Sequence, residues 1–128
     1  MSKTIISAAL FASLAIGIAH ADDATDLKRG KLLFIQCRAC HDLQPDPAQK
    51  VGPNLNGIIG RKSASVEDFA YSPALTKASL VFDKATLDRW IEKPSALVPG
   101  NAMAFAGVAS AEDRAALIKY IEKESAKR

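Results

Sequence analysis

The sequence predicts an all-α fold of four or five helices, with about as much loop as helix. Three observations carry this expectation. Apolar residues recur at helical spacing in separated segments. N-cap residues and prolines bracket those segments. No run of Val, Ile or aromatic residues alternates with period two, so strand signals are weak.

The chain has 128 residues, enough for one domain. Residues 1–21 read as a secretory signal peptide. Lys3 supplies the positive start, Ile5 to Ile18 the apolar run, and Ala19-His20-Ala21 a small-x-small cleavage site. The apolar run falls short of the roughly 20 residues a membrane span needs. It also inflates the 48% hydrophobic content of the whole chain. The remaining domain is then 22–128. Of the 17 Lys/Arg only Lys3 leaves with the signal, so 16 stand against 14 Asp/Glu, a net charge of +2. That small excess, with no basic block, excludes nucleic acid as a partner.

Within 22–128 the first helix is expected over Asp26 to Gln36, with Leu27, Gly30, Lys31 and Phe34 at i, i+3, i+4, i+7. Residues 39–60 read as loop, interrupted by Pro45, Pro47, Gly52, Pro53, Gly57 and Gly60. Ser72-Pro73 has the form of an N-cap followed by proline at the first helical position, opening a short helix to about Ser79. Asp83 is the expected N-cap of a third helix with Leu87, Trp90 and Ile91 on one face, ended by Pro94. Residues 94–109 read as a second long loop. Ser110 opens the last helix, with Glu112 and Asp113 in the first turn, where the helix dipole favours acids, and with Leu117, Ile118, Tyr120 and Ile121 apolar. Loops this long in so short a domain are unusual, and they need something to wrap around.

Cys37-Arg38-Ala39-Cys40-His41 supplies a candidate for that centre. A disulfide across so short a loop would do little for chain entropy. In an exported protein the C-x-x-C-H pattern reads instead as covalent haem attachment. Each thiol adds to one of the two haem vinyl groups, and His41 ligates the iron from one side. Two other chemistries use C-x-x-C. Structural zinc wants four ligands, and residues 22–128 offer two Cys and one His. A thiol–disulfide oxidoreductase mounts its motif at the start of a helix after a strand, whereas here the motif follows a helix.

Met103 is the only methionine after residue 21, and His41 the only histidine. A bis-His haem, or a second haem with its own histidine, is thereby excluded. A lone methionine is ordinarily a core filler. Met103 follows Pro99-Gly100 on a loop, and is read as the second axial ligand. His/Met ligation suits electron transfer.

These motifs, with Gly52-Pro53-Asn54-Leu55, Gly60-Arg61-Lys62, Phe69-Ala70-Tyr71, Pro99-Gly100 and Phe105-Ala106-Gly107, resemble the small soluble class I cytochromes c over about residues 25–125. The resemblance implies the class I fold, helices and long loops wrapped around one covalent haem c. It implies a diffusible one-electron carrier, cycling Fe(II)/Fe(III), and not an enzyme. It places Pro53, Arg61, Tyr71, Trp90 and Phe105 in the haem surroundings. The Pro53 carbonyl would accept the His41 Nδ1 proton, and Arg61 and Tyr71 would lie near a propionate. Gly30 and Phe34 would cross Leu117 and Tyr120. The implied setting is a periplasmic monomer without stable membrane insertion. Its partners would be a quinol–cytochrome c oxidoreductase, terminal oxidase, reaction centre or periplasmic dehydrogenase, to which it could also belong as a fixed subunit. A peroxidase or gas sensor would need an open iron position, which Met103 closes.

The sequence departs from the mitochondrial pattern in ways that bear on tuning. Phe82 stands where a Trp donates to a propionate. Trp90 stands where a Tyr often lies near the ligating sulfur. Asn101-Ala102 replaces Thr-Lys before the methionine. Ser95, Ala96, Ala102 and Ala109 replace lysines of the docking face, where Lys50 remains. An apolar patch of Ala102, Ala104, Phe105 and Ala106 is the expected alternative.

Overall fold

The computed structural model describes residues 19–45 and 50–126. Residues 1–18 of the expected leader 1–21, Met1 among them, lie outside these, as does Pro47. Five helices are described: α1 (Ala19–Arg38), α2 (Pro73–Ala78), α3 (Lys84–Glu92), α4 (Pro94–Leu97) and α5 (Ala111–Ser125). The expected all-α class is borne out. Among the described residues the only extended pairing is an isolated antiparallel bridge between Lys62 and Val81. No described helix is long and apolar enough to cross a membrane.

The caps expected from sequence are formed. Ser72 accepts from the Leu75 N–H at 3.2 Å, Asp83 from the Thr86 N–H at 2.7 Å, and Ser110 from the Asp113 N–H at 3.2 Å. Each hydroxyl or carboxylate satisfies one of the amides that a helix start leaves unpaired. Ser110→Ala is therefore expected to lower stability by about 1 kcal/mol, read as an earlier denaturant midpoint with an unchanged slope.

Two boundaries differ from expectation. α1 runs from Ala19 to Arg38 rather than Asp26 to Gln36, passing through the expected cleavage point after Ala21. The acidic Asp22 stands in its first turn, where it complements the dipole. At the other end the Cys37 carbonyl accepts from both the Cys40 and His41 amides, so the helix closes directly into the cysteine motif. The stretch after Pro94, read as loop, first makes one helical turn. Proline's fixed φ suits the first position of a helix as well as it ends the preceding one.

The core forms where α1 crosses α5, with α3 packed on α5 and α4 on α3. At the crossing, Gly30 lies so close to α5 that a Cβ would fall 2.2 Å from the Ala116 carbonyl oxygen and 2.7 Å from the Tyr120 Cβ. Phe34 and Tyr120 meet at a ring-centroid distance of 5.7 Å. The inner stripe of α1 is Gly30, Leu33, Phe34 and Cys37. Lys31, placed on that stripe by spacing alone, is exposed. The contact is narrow, and a residue one step round the helix escapes it. Leu117, Ile118 and Ile121 are buried as expected. Arg29 with Asp113, and Lys119 with Asp23 and Asp26, bridge the two helices at the surface, where such pairs contribute little.

Arg114 does more for the loop that precedes α5. Its side chain is buried and donates to Asp88 at 2.8 Å and to the Val108 and Ala109 carbonyls at 3.0 and 2.8 Å. The bond to Asp88, on α3, holds its pKa above the ordinary guanidinium value. The Val108 amide donates to the Ile91 carbonyl at 2.9 Å. Residues 107–109 are thus tied to the end of α3, and the segment carrying Met103 is anchored at its far end.

Candidate cofactor site

Every residue proposed from sequence for the site lines one cavity of about 350 Å³: Cys37, Cys40, His41, Pro53, Arg61, Tyr71, Trp90, Met103 and Phe105. The rest of the wall is largely apolar and includes Leu55, Ile58, Leu75, Phe82, Leu87, Ile91 and Ile121. The core side chains of α3 and α5 therefore serve two purposes, facing each other and facing this space.

The end of α1 sets the first part of the site. Both cysteines are half-buried and are not bridged to each other. Burial pushes the Cys37 thiol up to about 11. A redox-active dithiol needs the opposite, a lowered pKa at a helix start; here the thiol ends a helix. His41 is buried. Its Nδ1 lies 2.7 Å from the Pro53 carbonyl oxygen. A carbonyl only accepts, so Nδ1 carries the proton and Nε2 keeps its lone pair. Burial lowers the His41 pKa more than the Pro53 bond raises it, and the Lys50 and Arg61 charges lower it further. A neutral imidazole with Nε2 free is the form that ligates a metal.

Gly52 has a role that sequence reasoning did not assign. Its amide donates to the Cys40 carbonyl at 2.9 Å, and a Cβ there would lie 2.4 Å from the His41 Cε1. Only a glycine lets the backbone run along the imidazole face and still deliver the next residue's carbonyl to Nδ1. Gly52→Ala is expected to tilt the ring away from Pro53. The change would show as altered histidine resonances in the NMR spectrum of the haem-loaded protein.

Arg61 is held by its own loop. It donates to the Asn56 and Asn54 carbonyls at 2.7 and 2.8 Å. Burial lowers its pKa, with Tyr71 opposing. Asn56 in turn bonds the Leu43 and Ser125 carbonyls, each at 2.9 Å, which docks the loop on the end of α5. The Tyr71 hydroxyl accepts from the Val66 amide at 3.1 Å. Phe82 is buried and packs edge-on against Trp90, with ring centroids 5.7 Å apart. Two of the departures from the mitochondrial pattern are thus direct neighbours.

On the facing wall, Val98 to Asn101 forms a turn. The Asn101 amide donates to the Val98 carbonyl at 3.1 Å, and Gly100 has φ +84° after proline, the arrangement a type II turn demands. Met103 follows, partly buried against the core. Two thiols, a neutral imidazole, a thioether and a guanidinium around an apolar cavity fit a haem bearing vinyl groups, an iron and carboxylates.

No protein-family model matches the chain. Individual relatives do. Cytochrome c2 of Rhodomicrobium vannielii is 37% identical over 116 residues, covering 91% of this chain and 93% of the relative. Cytochrome c 2.1 of Caenorhabditis elegans is 45% identical over 105 residues, covering 81% and 94%. This chain belongs to the cytochrome c family. A solved structure, cytochrome cH from Methylobacterium extorquens, matches with a TM-score of 0.71 at 33% identity, over 77% of this chain and 98% of that one. The class I fold expected from the sequence is thereby confirmed. The protein is a monohaem c-type cytochrome, an electron carrier rather than an enzyme, with one covalently attached haem c. Its partners are other redox proteins.

Ser95, Ala96, Ala102 and Ala109 are exposed, as are Ala104 and Ala106. Lys50 is exposed too, but its ammonium is engaged by Asp42 and the Arg38 carbonyl at 3.0 and 3.1 Å. Val51, which sequence reasoning passed over, is 81% exposed and also lines the cavity.

Proposed function

We propose that this cytochrome is a diffusible periplasmic electron carrier in a respiratory or photosynthetic chain. Cys37 and Cys40 form the thioether links to the haem, and His41 and Met103 are the axial ligands. The observation that carries the reading is the presence of His41 and Met103 in the wall of one cavity, with the His41 tautomer set by Pro53. When bound, the haem supplies a reversible one-electron couple. The protein's residues keep its surroundings unchanged as the electron moves. Pro53 fixes the imidazole, the Val98–Asn101 turn leads into Met103, Arg61 and Tyr71 in the cavity wall would serve the haem carboxylates, and the apolar wall would exclude water.

Met103→Ala tests the ligand set. The oxidised wild-type protein is expected to show a far-red sulfur-to-iron band that the variant lacks, and the variant is expected to bind carbon monoxide readily when reduced. A high-spin wild type would overturn the assignment.

Periplasmic export rests on the leader form of residues 1–21 and on the similarity to bacterial cytochromes c2. Mass spectrometry of the protein recovered from the periplasm is expected to show a mature form beginning at Asp22. The docking face is apolar, formed by Val51, Ala102, Ala104, Phe105 and Ala106, and its partners meet it in small, short-lived contacts. Electron transfer to a purified terminal oxidase is therefore expected to change less than about threefold between low and physiological salt, against the tenfold or more of electrostatically steered pairs. A steep fall with salt would overturn the apolar docking face.

A further inference from the structure

The side chain of Asn101 bonds in two directions. Its Nδ2 donates to the Val98 carbonyl at 2.8 Å, and its Oδ1 accepts from the Met103 amide at 3.0 Å. The Met103 carbonyl accepts from the Phe105 amide at 3.0 Å. Both backbone groups of Met103 are therefore occupied by local bonds, in a stretch without regular structure between α4 and α5. A side-chain amide can donate and accept at once and mimic a turn's own backbone. An alanine can do neither.

We infer that Asn101 is the positioning residue for Met103, aiming the thioether and setting how tightly the sixth site stays closed. The inference rests on the reading that Met103 is an axial ligand. The segment has independent anchors on both sides. The Asn101 amide bond to Val98 closes the turn before it, and Val108 is tied to Ile91 after it. Loss of the Asn101 side-chain amide should thus free the Met103 peptide without dismantling the loop. The sixth site then spends more time open, and a competing ligand binds more tightly in proportion to that open fraction.

The test measures imidazole binding to the oxidised, haem-loaded protein at neutral pH, with far-red absorbance and thermal midpoint recorded alongside. Asn101→Ala is expected to bind imidazole about tenfold more tightly than wild type, the scale of a lost local hydrogen-bond pair. Asn101→Ser should fall between them, because its hydroxyl still accepts from the amide two residues on, more weakly. Met103→Ala gives the affinity without a competing thioether. Ser110→Ala, which loses a helix cap away from this turn, should lower the thermal midpoint and leave imidazole affinity at the wild-type value. Asn101→Ala affinity within about twofold of wild type, while Met103→Ala binds far more tightly, would overturn the inference and spare the ligand assignment. Equal affinity of wild type and Met103→Ala would overturn the assignment itself, and the inference with it.

Discussion

The Cys37→Ala/Cys40→Ala double variant, exported in a host with haem-attachment machinery, is expected to be recovered without covalent haem and without a stable fold. The cavity these thiols open onto measures about 350 Å³ and is walled by Leu55, Ile58, Leu75, Phe82, Leu87, Trp90, Ile91 and Ile121. With this space unfilled, these apolar side chains would meet water or have to collapse together, and either outcome costs stability that an ordinary domain, with roughly 5–15 kcal/mol in all, can ill spare. A single small domain has little other apolar surface to bury in compensation. The haem is in this sense part of the core, and the thioether links make its presence permanent. Far-UV circular dichroism should show most helix lost, and denaturing gels should show no haem-linked peroxidase stain. A well-folded, haem-free double variant would show that the helices hold the cavity open unaided.

Gly30→Ala is the next largest expected effect, at about 3 kcal/mol of lost stability. The new methyl would stand 2.2 Å from the Ala116 oxygen and 2.7 Å from the Tyr120 Cβ. Neither atom lies at the end of a flexible side chain, so α1 and α5 must move apart. Overpacking of this kind typically costs roughly 1–3 kcal/mol and more against backbone, while alanine's better helix propensity returns about 1. Separation also pulls Phe34 from Tyr120 and loosens the end of α1 that presents Cys37. The measurement is the denaturant midpoint of the haem-loaded protein, with Lys31→Ala, on the exposed side of the same turn, as the comparison expected to stay near wild type. Equal midpoints would mean that the helix crossing yields without cost.

The helix starts were legible because capping is local. Ser72, Asp83 and Ser110 each satisfy an amide three residues on, so a short window of sequence contains both partners. The extent of α1 was not legible. Its first residues have no apolar periodicity to declare them, and its last turn is closed by Cys40 and His41 amides that belong to the next motif. The short helix after Pro94 was hidden because proline ends one helix and starts another with the same fixed φ.

The site divides along the same line. The spacing of Cys37, Cys40 and His41 pointed to covalent haem attachment from sequence alone, and the single methionine after residue 21 to the proposed second ligand, because attachment and ligation depend on residue type and short spacing. What the tertiary structure decided is everything that acts across sequence distance. It laid Gly52 against the imidazole, secured Arg61 through Asn54 and Asn56, set Phe82 beside Trp90, and tied up Lys50 with Asp42. Asparagine, glycine and lysine are common in loops, and their types alone do not name a partner. Only when the loops fold around the cavity do particular donors and acceptors come within bonding distance, as the Pro53 carbonyl does with the His41 ring.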